Sequence, residues 1–163
     1  MFRPVDPLLK PRSMAIIGAS ETGGEGWSKV LFNNIRDAGF PLKIYLINPN
    51  RDALWDQKVY PDFAALPEPV DHAAVVVPGR FVNDIIRNGI DNGLKAATIF
   101  SSGFGEGRKK HGADRGAELK AMIDESGLSV CGPNCMGNFS LPRDILLYPT
   151  TRLRNLPRGP IGG

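Results

Sequence analysis

Ser13-Met14-Ala15-Ile16-Ile17-Gly18-Ala19-Ser20 is the stretch on which the fold turns. Five residues with no internal polar alternation read as a strand buried on both faces, and Gly18 stops it. Glycines and small polar residues fill the next positions to Gly26, and Ser28–Ala38 then runs at helical spacing. There Val30, Leu31, Asn34, Ile35 and Ala38 share one side, and Gly39 ends the run. A buried strand, a glycine-rich turn and an amphipathic helix form the opening unit of a parallel α/β sheet.

The rest of the chain repeats this alternation. Lys43–Ile47 (KIYLI) reads as a second strand, stopped by Asn48-Pro49-Asn50. A long link carrying Trp55 and Tyr60 leads to a third strand, His72–Val77. Phe81–Ile90 is predicted helical, with Phe81, Val82, Ile85, Ile86 and Ile90 on its apolar face. Ala96–Phe100 is a fourth strand. Ala113–Ser126 is a helix with Leu119, Met122 and Ile123 facing inward and Gly127 as its stop. Leu128–Cys131 is a short fifth strand. The expected fold is α/β, a Rossmann-like parallel sheet with helices on both faces. Ligands of such sheets bind at the carboxyl ends of the strands. The loops Gly18–Trp27, Asn48–Arg51, Pro78–Arg80, Ser101–Gly107 and Gly132–Gly137 are therefore where chemistry is expected.

Composition narrows the class. The chain has 163 residues, the size of one domain, with 42% hydrophobic and 23% charged residues. Nineteen glycines and 14 prolines approach a disordered composition, but the apolar runs between them are too strong for that. No apolar stretch nears the ~20 residues of a membrane span. Pro4, Asp6 and Pro7 interrupt any signal-peptide core. Two cysteines are too few for a disulfide framework, so a cytoplasmic location is expected. A net charge of +3 with a pI near 9.0 is a mild basic bias, suited to a phosphorylated small molecule and not a signature of nucleic acid. Neither nucleic acid nor membrane is expected as a partner.

Each loop suggests a role. Gly18-Ala19-Ser20-Glu21-Thr22-Gly23-Gly24-Glu25-Gly26 lies between strand and helix, where backbone N–H groups cradle a phosphate. A dinucleotide fingerprint would place glycine where Ser20 stands, and an acidic residue where the second strand ends in Asn48-Pro49. Both departures count against a nicotinamide cofactor. Arg51, just after that turn, is placed to meet phosphate. Ser101-Ser102-Gly103-Phe104-Gly105-Glu106-Gly107 offers hydroxyls and backbone donors as a second polar cradle. The basic run Arg108-Lys109-Lys110-His111 reads as solvated surface. Cys131 reads as a core residue and Cys135 as a wall of the site. Two thiols without a nearby histidine do not make a metal centre, and neither His72 nor His111 has a route to Cys135, so no metal and no catalytic residue is expected.

Taken in order, SMAIIGAS, Ile47-Asn48-Pro49, Val76-Val77-Pro78, Ser101-Ser102-Gly103-Phe104 with Glu106, and Gly132-Pro133-Asn134-Cys135-Met136-Gly137 resemble one known family. It is the CoA-binding domain of the NDP-forming acyl-CoA synthetases, relatives of the succinyl-CoA synthetase alpha subunit. The resemblance covers residues 8–163. It implies coenzyme A as ligand, with Gly18, Ala19 and Ser20 at its nucleotide end and Arg51 near the phosphates. Asn48 and Pro49 belong to the same expected site. Val77 and Pro78 would flank the adenine, Ser101, Ser102 and Gly103 would hold the pantetheine, and Asn134 and Cys135 would lie near the thiol. In the family, acyl-CoA, phosphate and NDP give acid, CoA and NTP through a phosphorylated histidine and an ATP-grasp domain. Neither His72 nor His111 matches that histidine. Residues 1–150 are thus expected to form the CoA-binding domain, and 151–163 a linker or the lead into a following domain. The chain alone is expected to bind CoA or acyl-CoA and catalyse nothing, its partners being the remaining synthetase domains or subunit. The alternatives are a stand-alone CoA-binding regulatory protein, a module fused to a protein acetyltransferase, and an NAD(P)-binding domain.

Overall fold

A computed structural model describes residues 4–21, 26–106 and 110–153. Five parallel strands form its centre: β1 (Ser13–Ile17), β2 (Lys43–Ile47), β5 (His72–Val75), β6 (Ala96–Ile99) and β7 (Ser129–Cys131). These are the five strands expected from the apolar runs. β1 is buried at every position, as its unbroken apolar pattern demands. The sequence did not reveal a hairpin inside the long link, β3 (Ala53–Leu54) and β4 (Gln57–Tyr60), whose second strand adds parallel to β2. The sheet order is β3-β4-β2-β1-β5-β6-β7.

Among the parallel strands, chain order runs outward from β1 to β2 and β4, then jumps to β5 and runs outward the other way. The direction reverses between β1 and β5, which opens a crevice at their carboxyl ends. Ala15 on β1, Ala73 on β5 and Ala97 on β6 stand side by side across the sheet, which places a row of small side chains at its centre.

Two cores sandwich the sheet. On one face α3 (Val82–Asp91) and α4 (Lys110–Ser126) bury Val82, Ile86 and Leu119 against Ala73, Val75 and Ile99. On the other, α2 (Trp27–Asp37) packs Leu31 and Ile35 against Met14, Ile16 and Leu46. That face is completed by a second unforeseen element, the ribbon β8 (Asn138–Ser140) and β9 (Ile145–Leu147), with Ile145 and Leu147 fully buried. Asn34, fully buried on α2, donates both amide hydrogens to the ribbon's exit, at 2.8 Å to the Tyr148 carbonyl and 2.9 Å to that of Thr150. Residues 138–150 are therefore anchored against α2. Of the expected linker only 151–153 lie within the described residues.

At the amino ends of the strands, the short helix α1 (Asp6–Leu9) passes beneath the sheet. Asp71 there accepts from the Arg12 backbone N–H at 2.9 Å and pairs with Lys95 at 2.7 Å. Burial pulls its carboxyl upward, but these two partners prevail and hold it below the usual range. No helix among the described residues is long and apolar enough to cross a membrane.

Candidate functional site

The crevice at the strand-order reversal holds two adjoining clefts divided by Val77 and Pro78. The larger, about 530 Å³, lies over the β1–β2 side, with Gly18, Asn48, Pro49, Phe81 and Ile85 among its walls. The smaller, about 310 Å³, opens toward α2 and is bounded by Trp27, Phe100, Ser101 and Ser102. Five of the expected site residues (Gly18, Asn48, Pro49, Val77 and Pro78) meet at the first cleft, and Ser101 and Ser102 join Val77 and Pro78 at the second. Two further clefts, about 390 and 610 Å³, open at the opposite edge of the sheet around Arg12, Asp71 and Lys95, whose charges pair with one another.

Gly18 makes the approach of these loops possible. Its φ is +83°, and a Cβ there would stand 2.2 Å from the Val76 carbonyl oxygen and 2.7 Å from Val77 Cγ1. No other residue type fits both the conformation and the space. Asn48, in the wall of the larger cleft, also ties two loops together. Its amide donates to the Ala19 carbonyl at 2.8 Å, and its Oδ1 accepts the Asn50 N–H at 2.9 Å. A side chain that would hold a ribose in a dinucleotide site here ties the first loop to the second. Ala19 is buried, and the Ser20 N–H donates to Ser28 Oγ at 3.4 Å. α2 begins at Trp27, where Gly26 provides no side-chain cap and its carbonyl accepts the N–H groups of Lys29 and Val30. Residues 22–25 of the glycine-rich loop lie outside the described residues.

The loop after β6 departs from expectation. Its backbone donors were read as an open cradle, but the Glu106 carboxylate accepts the Gly103 N–H at 3.0 Å and the Phe104 N–H at 2.6 Å. Its own N–H and that of Phe104 hold its pKa below the usual carboxylate range. Arg115 closes the other side on the Gly103 carbonyl at 2.5 Å. Ser101 Oγ donates to the Val77 carbonyl at 2.5 Å, joining the loops of β5 and β6, so Ser102 carries the freer hydroxyl.

Arg51 is exposed beyond Asn50, outside the larger cleft. Asn134 and Cys135 also lie outside both clefts, though the Asn134 N–H donates to the Ser101 carbonyl at 3.0 Å and so binds the two loops together. Cys131, expected in the core, is only half-buried, as is Cys135. Phe81, expected on the buried face of α3, is 46% exposed and forms a cleft wall with the Arg80 guanidinium stacked on it, 4.5 Å from the ring centroid. The 3-10 turn Gly79–Phe81 precedes α3 and rotates Phe81 away from the core. A Pro-Gly just before an apolar helix start was the available sign of that turn. Trp27 was counted only as the end of a loop. It packs edge-on against Phe100, with ring centroids 5.8 Å apart. Of the basic run, His111 is exposed, while residues 107–109 lie outside the described residues.

A parallel sheet with its crevice at the reversal point and a Cβ-free approach at Gly18 define a nucleotide-type ligand-binding domain. The chain matches the CoA binding domain family over residues 12–139, most of its length, and belongs to that family. It is 38% identical over 157 residues to a trans-feruloyl-CoA synthase from an unknown prokaryotic organism, which spans 95% of this chain and 22% of the relative. It is 36% identical over 130 residues to an ADP-forming acetate–CoA ligase of Archaeoglobus fulgidus, covering 80% of this chain and 19% of that one. A solved structure of a dinucleotide-forming acetyl-coenzyme A synthetase from Ca. Korarchaeum cryptofilum, in complex with phosphate and ADP, superposes with a TM-score of 0.83 at 28% identity. That match covers 94% of this chain and 32% of the other. The chain thus spans about a fifth of the length of these curated relatives, and the expected Rossmann-like fold and CoA-binding class are both met.

Proposed function

We propose that the crevice between β1 and β5 holds CoA for an NDP-forming acid–CoA ligase. The complete protein would convert acyl-CoA, phosphate and NDP to acid, CoA and NTP. The observation that carries this reading is the paired cleft at the strand-order reversal. One side is walled by Pro49, Pro78, Phe81 and Ile85, suited to a planar base, and the other opens past Ser101 and Ser102 toward the β7 loop. The space a Cβ would fill at Gly18 fits close approach of a diphosphate to backbone. CoA's thiol supplies the carrier on which the acyl group travels as a thioester.

In this reading the backbone of Gly18, Ala19 and Ser20, together with the α2 N-terminus, binds the diphosphate. Val77 and Pro78 flank the adenine, and Arg51 reaches the phosphates from the rim. Ser102, with Ser101 and Gly103 behind it, lines the pantetheine path, and Asn134 and Cys135 stand at the thiol end. Asn48 positions the first loop. Residues 1–150 make up this domain, and 151–163 lead toward the parts that hold the phosphorylated histidine and the ATP-grasp domain. The relatives' greater length supports such parts. The setting is cytoplasmic.

Calorimetric titration with CoA, and in parallel with NADH and NADPH, tests the assignment. CoA alone should bind, and Ser20→Asp should abolish binding by placing a carboxylate against the phosphate path. Binding of a nicotinamide cofactor alone, or unchanged CoA affinity in Ser20→Asp, would overturn it.

A further inference from the structure

The loop after β6 is fixed residue by residue from Ser101 to Phe104. Ser101 Oγ donates to the Val77 carbonyl at 2.5 Å, and the Ser101 carbonyl accepts the Asn134 N–H at 3.0 Å. The Ser102 carbonyl oxygen lies so close to Gly79 that a Cβ there would stand 2.3 Å from it. Gly103 is held between two charged side chains. Its N–H donates to Glu106 Oε2 at 3.0 Å, and its carbonyl accepts from Arg115 Nη1 at 2.5 Å. The same Glu106 oxygen takes the Phe104 N–H at 2.6 Å, and the Arg115 guanidinium lies 5.7 Å from the centroid of the Phe104 ring. Of the two hydroxyls in this stretch, only that of Ser102 has no partner among the described residues, and Ser102 lines the smaller cleft.

We propose, building on the CoA reading of the crevice, that Glu106 and Arg115 are positioning residues which clamp Gly103 from both sides and so hold the Ser102 hydroxyl ready for an amide of the pantetheine arm. Neither side chain lines either cleft, so both act through the loop.

The physical reason lies in what each partner lacks. Pantetheine is a flexible, uncharged arm with two secondary amides. It draws little from long-range attraction, and its binding depends on hydrogen-bonding groups that are already in place. The loop would not supply them unaided. Gly103 and Gly105 stand at φ +97° and +110° on either side of Phe104, and glycine has the most backbone freedom to lose on being fixed. The clamp removes that freedom before the ligand arrives. Glu106 stays ionised at neutral pH, because its own N–H and that of Phe104 hold its pKa below the usual carboxylate range. Its bonds to the loop are therefore charge-assisted. One carboxylate oxygen serves both N–H groups, so a neutral amide oxygen at the same point can replace it.

The test is calorimetric titration of the full chain with CoA and, separately, with ADP, which carries the base and diphosphate without pantetheine. Glu106→Ala should bind CoA about tenfold more weakly and ADP as the wild type does. Glu106→Gln, whose Oε1 can accept the same two N–H groups, should stay within about threefold of wild type. Ser102→Ala should also weaken CoA, and in that background Glu106→Ala should add little, because the clamp acts through the hydroxyl. A merely structural role would weaken CoA and ADP together and add fully to Ser102→Ala. Either of those results overturns the proposal, as does unchanged CoA affinity in Glu106→Ala. Amide hydrogen exchange without ligand separates the clamp from the ligand. The Gly103 and Phe104 amides should be protected in the wild type and exchange faster in Glu106→Ala. A wild type that binds no CoA overturns the pantetheine role together with the CoA reading, whereas equal exchange of those two amides in both proteins refutes the clamp itself.

Discussion

Lowering the pH from 7 to 5 should remove about 2 kcal/mol of folding stability through a single residue, His72. It sits in β5, fully buried between β1 and β6. Its Nε2 lies 2.8 Å from Thr98 Oγ1, and Nδ1 has no partner among the described residues. Leaving a donor unpaired costs more than leaving a lone pair, which favours the tautomer with the proton on Nε2, donated to Thr98. Burial lowers the imidazole pKa to about 3, and the neighbouring Asp71 charge offsets this only in part. Between that value and the unfolded value near 6.5, the unfolded chain binds a proton and the native chain does not. Stability is therefore complete above about pH 6.5 and falls as pH drops toward 3. At ~1.4 kcal/mol per pH unit, the step down to pH 5 amounts to about 2 kcal/mol. Urea unfolding at pH 5, 6 and 7 measures it. His72→Gln keeps an amide to meet Thr98 and removes the titration, so its stability should be nearly flat over this range. Equal slopes in wild type and variant would refute the buried neutral histidine.

Other outcomes follow from the same geometry. Gly18→Ala should lower both stability and CoA affinity, because its Cβ would meet the Val76 carbonyl 2.2 Å away; thermal melting and calorimetry would show both losses. Asn48→Leu should weaken CoA about tenfold with little change in Tm, since it frees the first loop without opening the core; titration reads this directly. Asn34→Ala removes two buried hydrogen bonds to the β9 exit and should cost about 2 kcal/mol, or roughly 4–8 °C in Tm. Cys135→Ala should leave CoA affinity almost intact, as expected of a wall; a large loss by calorimetry would give the thiol a direct role in binding.

Three of the five central strands, Ser13–Ile17, His72–Val75 and Ala96–Ile99, are buried at every position, so their largely apolar runs were legible; Lys43–Ile47 and Ser129–Cys131, only partly buried, were read from shorter apolar runs bounded by turn residues. The β3–β4 hairpin was not legible. Its turn places Trp55 and Asp56 at φ +53° and +58°, a conformation that usually announces itself with Asn-Gly. Here the Trp55 ring packs on Phe32 of α2, with centroids 5.1 Å apart, so tertiary contact accompanies a turn that local preference would not choose. The β8–β9 ribbon was hidden for a related reason: three-residue strands show too little alternation to be read, and burial of Ile145 and Leu147 beneath α2 is a long-range fact.

The site divides along the same line. Strand ends and loop glycines are written locally, because a parallel sheet must place its loops at one edge and only glycine can stand at Gly18. Those facts sufficed for the fold and the crevice, while the family came from the resemblance of Ser101-Ser102-Gly103-Phe104 and Gly132-Pro133-Asn134-Cys135-Met136-Gly137 to its motifs. Partnerships between loops were decided only on folding. Asn48 clamps the Ala19 carbonyl, Glu106 fills the donors of Gly103 and Phe104, and Phe81 leaves the core to form a wall. Each depends on which polar or aromatic group another segment brings within reach. A single sequence records the groups, but the packing of distant segments chooses the pairs.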